Sequence, residues 1–220
     1  MKKFCTVMFC ILVCSALLTA CGEPENNAAS SVKAIYDLYI LGDTEGISSL
    51  GMSDEEIKSA QTTYDDSVKE TIRSNFSASG QEIDDNTLDE LCAARKEALS
   101  KLEASAEITS ESEGKATVVL HTTYFDESQL DKNAFYSARE AANQSGLTSL
   151  EEQQVFLMEK YTQNLIAAYK DVTPSEDTTD ITVECVIQDN SWVPANMSSF
   201  GSDLALAITG QNQDSDTSEE

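Results

Sequence analysis

Apolar residues recur every three or four positions through Val32, Ile35, Tyr36, Tyr39 and Ile40, and Gly42 ends the recurrence. This spacing predicts an amphipathic helix closed by a residue free to turn the chain. A link with Ile47 and Leu50 follows. Ser53-Asp54-Glu55-Glu56 then forms a capping box, in which Ser53 serves the third helical amide and Glu56 reaches back to the amide of Ser53. Ile57, Tyr64, Val68 and Ile72 continue one face of the long helix so started. Gly80, within SASGQEIDDN, interrupts it, and Thr87-Leu88-Asp89-Glu90 offers a second box leading into Leu88, Leu91, Cys92, Leu99 and Leu102.

The period changes after Glu103. In ASAEITSESEGKATVVLHTTYF two extended runs flank a turn holding Gly114, and Ala116, Val118, Leu120 and Tyr124 alternate toward one face, the expected core side. Asp126 and Ser128 introduce a helix with Leu130, Phe135 and Ala138 that stops at Ser145-Gly146. Thr148-Ser149-Leu150-Glu151 caps a longer helix carrying Val155, Met158, Tyr161, Leu165, Ala168 and Val172, with Pro174 just past its end. Residues 181–188 and 191–194 read as a second hairpin around Asp189-Asn190, and Phe200, Leu204 and Ile208 as a short last helix before Gly210.

This succession of helices, hairpin, helices, hairpin predicts an α+β fold, with long helices packed on an antiparallel sheet of two hairpins. Gly51-Met52-Ser53-Asp54-Glu55-Glu56 and Gly146-Leu147-Thr148-Ser149-Leu150-Glu151-Glu152 are loosely alike, each at the head of a long helix. A helix-helix-hairpin unit occurring twice, in residues 30–125 and 126–209, is therefore one form that a single domain over 30–209 can take. Four strands are too few for two independent sheets, which favours one shared sheet. Residues 210–220, GQNQDSDTSEE, are acidic, lack apolar side chains and are expected to be disordered.

The N-terminal pattern is of another kind. Met1-Lys2-Lys3 precedes an apolar run from Phe4 to Ala20 broken only by Thr6, Ser15 and Thr19, the layout of a secretory signal over residues 1–20. Leu18-Thr19-Ala20-Cys21 resembles the lipobox of bacterial lipoproteins. That resemblance implies cleavage between Ala20 and Cys21, diacylglyceryl transfer to the Cys21 thiol, and a protein held on the extracytoplasmic face of the cell membrane by its own lipid. Two acyl chains at about 0.8 kcal/mol per buried CH₂ hold where one gives only marginal binding. The alternative is an ordinary secreted protein cut near the same point. Residues 21–29 would then form the lipidated end and a polar tether.

Composition narrows the partners. Acidic residues number 39 against 14 basic ones, and removal of Lys2 and Lys3 with the signal takes the net charge from −25 to −27. Such a field argues against nucleic acid and against adsorption to anionic lipid, both of which need clustered Lys or Arg. Cys5, Cys10 and Cys14 leave with the signal and Cys21 is committed to lipid, so only Cys92 and Cys185 remain in the domain. Both fall on apolar faces. An exported compartment permits a bridge between them, and two buried free thiols are the alternative.

The lipobox, the passage LGDTEGISSLGMSDEE running into a long helix, the strand ending YFD and the later pair closing with NSWV are together similar to uncharacterised surface lipoproteins of Gram-positive bacteria. The resemblance implies an anchored extracytoplasmic α+β domain and brings no catalytic residues. The strand pair around Trp192 is also similar to the hairpin of cone-like folds of the nuclear-transport-factor type, which implies a curved sheet under helices and room for a pocket.

Candidate chemistry is sparse. His121, the single imidazole, is the natural general base, yet no Gly-x-Ser-x-Gly elbow accompanies it, and in VVLHTTYF it falls opposite in phase to Leu120, toward the sheet surface. Acid pairs suited to glycoside hydrolysis arise by chance among 39 carboxylates. The acidic tail lacks the full pattern of a calcium loop, and no Cys/His zinc set or phosphate loop appears. No catalytic residue, metal or cofactor is therefore expected. The aromatics are the remaining signal: Trp192, Tyr124 and Tyr161, with Tyr36 and Tyr169, can line a ligand site or fill the core. The expected role is non-catalytic binding of an envelope protein or a small ligand, with a small-ligand cone and then an acid-based hydrolase as alternatives.

Overall fold

The computed structural model describes residues 27–211. The signal, Ala20, Cys21, most of the tether and most of the acidic tail lie outside these residues. Helix α1 (Ala28–Tyr36) starts inside the stretch read as tether, because the Asn27 side chain accepts from the amide of Ser30 and Ala28 is fully buried. A π-helical turn, Asp37–Leu41, continues it to Gly42, whose φ of 73° suits a residue without Cβ. The link around Ile47 contains a short helix, α2 (Glu45–Ser49). The Ser53–Glu56 capping box forms as read and opens α3 (Asp54–Ala78).

Helix α4 (Asp85–Leu99) starts earlier than its sequence suggested. Asp84 is the cap and accepts from the amides of Asn86 and Thr87, so Thr87 lies inside the first turn and donates its hydroxyl to Asp84. Strands β1 (Ala104–Ser112) and β2 (Lys115–Thr123) follow, then α5 (Glu127–Gln144), α6 (Leu150–Asp171), β3 (Thr178–Gln188), β4 (Ser191–Pro194) and α7 (Met197–Ile208).

The strands form one antiparallel sheet in the order β1-β2-β3-β4. The fold is α+β, and a helix pair followed by a strand pair occurs twice in the element order. Both hairpin turns use left-handed backbone, at Glu113-Gly114 and Asp189-Asn190, the geometry whose twist matches the flanking strands. Ala116, Val118, Leu120 and Thr122 of β2 and Thr179, Ile181, Val183 and Cys185 of β3 point to one buried face. The ends of that face depart from its alternation, at the expected member Tyr124 and at Ile187. Tyr124 lies past the end of β2 and is half-buried, while Phe125 takes the buried position; Ile187 is 40% exposed where β3 runs beyond the core.

Helix α1 crosses β1, β2 and β4, and α7 packs on β3. Tyr36 anchors α1 through a hydrogen bond to the Thr122 hydroxyl at 2.9 Å, and burial pushes its phenol up to about 12. Helices α5 and α6 pack chiefly on each other and α6 on α4, so α3 to α6 form a helical arm joined to one end of the sheet. The last turn of α4, the first turn of α5 and the last turn of α6 all meet at that joint.

Candidate functional site

Two groups of ionisable side chains stand out, one at the joint and one on the open face of the sheet. At the joint, Arg95 of α4 and Glu127 of α5 form an ion pair with both side chains under a tenth exposed, Nε to Oε1 at 2.8 Å. The Tyr169 hydroxyl of α6 donates to the same Oε1 at 2.5 Å, and the Tyr64 phenol of α3 lies within electrostatic reach of Arg95. Phe125 meets the Tyr169 ring edge-on at 6.2 Å. Burial alone would raise the Glu127 carboxyl; the Arg95 charge and the bonds from Arg95 and Tyr169 outweigh it, so the acid is held below its ordinary range. Arg95 moves up for the complementary reason, Glu127 overcoming the cost of burial. Tyr64 is pushed up to about 12 by burial.

This group binds segments far apart in sequence. Glu127 also sits in the first turn of α5, where the helix dipole favours a carboxylate, and its amide donates to the Thr209 carbonyl at the end of α7. Sequence reading passed over both charged residues. The signal was there for Arg95, which shares the 88, 91, 95, 99 face of α4 with Leu88, Leu91 and Leu99: a charge at a core position needs a buried counter-charge.

The second group lies on the sheet face that no helix covers. The register sets Ser105 of β1, His121 of β2 and Asp180 of β3 in one row. His121 Nδ1 is 2.6 Å from Asp180 and Nε2 is 3.7 Å from Glu107 of β1. The bond to Asp180 raises the imidazole above its ordinary value, and the Asp180 and Glu107 charges add to it. The row has the residue types of a Ser-His-Asp triad without its geometry, since Nε2 meets a carboxylate rather than the serine hydroxyl. Each ring nitrogen therefore faces a carboxylate, Asp180 on one side and Glu107 on the other, and neither is aimed at a serine hydroxyl.

The aromatic candidates are not gathered into one place. Trp192 is buried on β4 opposite Ile187, at the hairpin end of the sheet. Tyr124 lies at the other end, where its carbonyl accepts from Ser175 and its ring fills the space a side chain at Gly210 would need. Tyr161 is in the helical arm, bonded to Asp131 and stacked near Phe76 and Phe135 at 6.2 and 6.3 Å. Each is committed to packing. Cys92 and Cys185 are free thiols: Cys185 is buried in the sheet core, while Cys92 is half-buried on α4 near Lys69 and Asp89, so they occupy separate interfaces. Burial pushes the Cys185 thiol up to about 11 and raises that of Cys92, which leaves both poor nucleophiles. Among the described residues no three His, Cys, Asp or Glu side chains are placed to hold a metal ion.

Residues 19–203 match the family model described as a domain of unknown function, DUF5105. The chain belongs to that family. Comparison with curated proteins gives no match. Among solved structures, a candidate lipoprotein from Bacillus subtilis, YcdA, shares the fold with a TM-score of 0.61 at 20% identity, over 82% of this chain and 55% of that one. The chain thus spans about half the length of that neighbour. Among the described residues no helix is long and apolar enough to cross a membrane.

Proposed function

We propose that the protein is a lipid-anchored module on the extracytoplasmic face of the cell membrane, with a binding or interaction role in place of catalysis. The observation that carries the second half is the commitment of its chemistry-bearing groups. Arg95, Glu127 and Tyr169 satisfy one another in the interior, and His121 is held between Asp180 and Glu107 on an open surface. A catalyst needs such groups converging on space for a substrate.

The first half rests on the signal-like run, on Leu18-Thr19-Ala20-Cys21, and on likeness to a fold neighbour described as a candidate lipoprotein. Cys21 lies six residues before the Asn27 cap. Six residues reach about 20 Å at full extension, so a lipid on Cys21 would hold the domain close to the membrane surface. Intact-mass analysis of the membrane-extracted protein tests this. Loss of residues 1–20 with a diacylglyceryl increment is expected, and Cys21→Ala should abolish both the processing and the increment. A Cys21→Ala protein that is processed and retained like the wild type would overturn the anchor.

A further inference from the structure

The two edges of the sheet are finished differently. At one, β4 is four residues long, and because the Ala195 amide donates to the Glu184 carbonyl, Pro194 takes the outward position, where it has no N–H to offer. At the other, β1 runs for nine residues with no Pro and no Lys. The bond from the Thr123 amide to the Glu103 carbonyl sets the phase of the β1-β2 ladder. In antiparallel pairing every second residue turns its backbone to the neighbour, so Ser105 and Glu107 bond to His121 and Val119, while Ala104, Ala106 and Ile108 turn their N–H and C=O groups away from β2. Among the described residues no backbone bond reaches those groups from outside, and β1 is in contact chiefly with α1 and β2.

The side chains along this edge define what fits it. Ala104, Ala106 and Ile108 lie on the core side, opposite Thr122, Leu120 and Val118, and are half-buried against the core. An added strand would lay apolar side chains over the two alanines. On the open face Glu107, Asp180 and Glu184 outweigh His121 and, at the turn, Lys115.

We propose that residues 104–108 receive an extended segment of a partner protein, which joins the sheet as a fifth, antiparallel strand with apolar side chains toward the core and Lys or Arg toward the open face. Charge selects the occupant. A second copy paired through β1 would bring Glu107 and Glu111 of two chains together, each chain with a net charge of −25, whereas a basic strand is attracted. The glutamates and the bulge between Ile108 and Ser110 guard the edge against indiscriminate pairing, but the bulge lies past Ile108 and the carboxylates repel acidic strands alone. The proposal rests on the interaction reading above and gives it a surface and a partner class. An edge that binds nothing leaves the Cys21 mass increment untouched, so the two readings fail separately.

The test uses the full chain in phosphatidylcholine nanodiscs, with empty nanodiscs as blank, titrated at about 150 mM salt with a fluorescent peptide of alternating Val and Lys. Saturable binding is expected. In the proposed register the Val amides face β1 and the Lys amides face solvent, so N-methylation at Val should weaken binding about tenfold or more and N-methylation at Lys less than twofold. Ala106→Pro removes one outward N–H and leaves the β2 ladder intact; about tenfold weakening at an unchanged thermal midpoint is expected. Glu107→Lys should weaken binding about fivefold, and Glu151→Lys, the same charge change on the arm, less than twofold. The peptide comparison is made on the wild-type chain, so it decides the question even if a variant does not fold. Binding that is absent, or equal for the two methylated peptides, overturns the proposal, as does a cross-link between two copies that Ala106→Pro abolishes.

Discussion

The sheet body and the helical arm reach stability by different means within one chain. Around the sheet the buried polar side chains are hydroxyls, Ser31, Thr122, Thr179 and Thr209, and the rest of the interior is aliphatic or aromatic. At the joint with the arm, a guanidinium and a carboxylate are taken fully out of water. A hydroxyl is cheap to bury when it finds one partner, as Thr122 does in Tyr36; two charges are costly unless geometry and further bonds are good. The arm therefore depends on a few mutually required side chains, while the body depends on many interchangeable ones.

The sharpest way to break that contrast is to remove one partner at the joint. Glu127→Ala leaves the Arg95 charge buried without its counter-ion and should lose about 3 to 5 kcal/mol in urea unfolding. A double change, Arg95→Met with Glu127→Leu, should restore much of the loss, since matched apolar side chains often replace a buried pair at little cost. In the body, Leu120→Ala should cost about 3 kcal/mol through transfer and cavity together. No second-site charge change should rescue it.

Titration separates the regions at a smaller scale. Tyr36 of the body and Tyr64 of the arm are both raised to about 12 by burial, above the ordinary value near 10. Their contribution is complete below about pH 10 and is lost as pH rises through the folded value, at roughly 2 to 3 kcal/mol each. Stability should fall steeply above pH 10, and Tyr64→Phe should flatten that fall without removing it. Glu127 has the opposite sign: held low in the fold, it stabilises above about pH 4.3, and the gain disappears as pH drops.

The smallest effect belongs to the open face. The raised imidazole of His121 adds stability below about pH 6.5 that is lost as pH rises through its folded value. The side chain is partly solvated, so His121→Ala should shift stability by only about 0.5 kcal/mol or less. A loss of several kcal/mol would show that the sheet face is covered.

The same contrast decides what could be read from the sequence. Alternation along residues 116–122 and 181–185 places the core of the sheet, because a strand declares its buried face by period alone. The Ser53 box and the Asp189-Asn190 turn are local chemistry and form where they were read. The joint is different. Arg95 and Glu127 are 32 positions apart, and only the packing of three helix ends makes them neighbours. The start of α4 was misplaced because Asp84 and Thr87 are both competent caps, and Asp84 captures two amides. The aromatic candidates share only residue type, and packing disperses them among three separate places.

Hydrogen exchange on Glu127→Gln, resolved along the chain, tests most directly whether the Arg95–Glu127–Tyr169 group holds the arm to the body. Loss of protection concentrated in residues 85–99, 127–144 and 150–171, with β2 and β3 still protected, is the expected result. Equal loss across the sheet and the arm, or no loss in the arm, would contradict the division of the molecule into two regions joined by one buried ion pair.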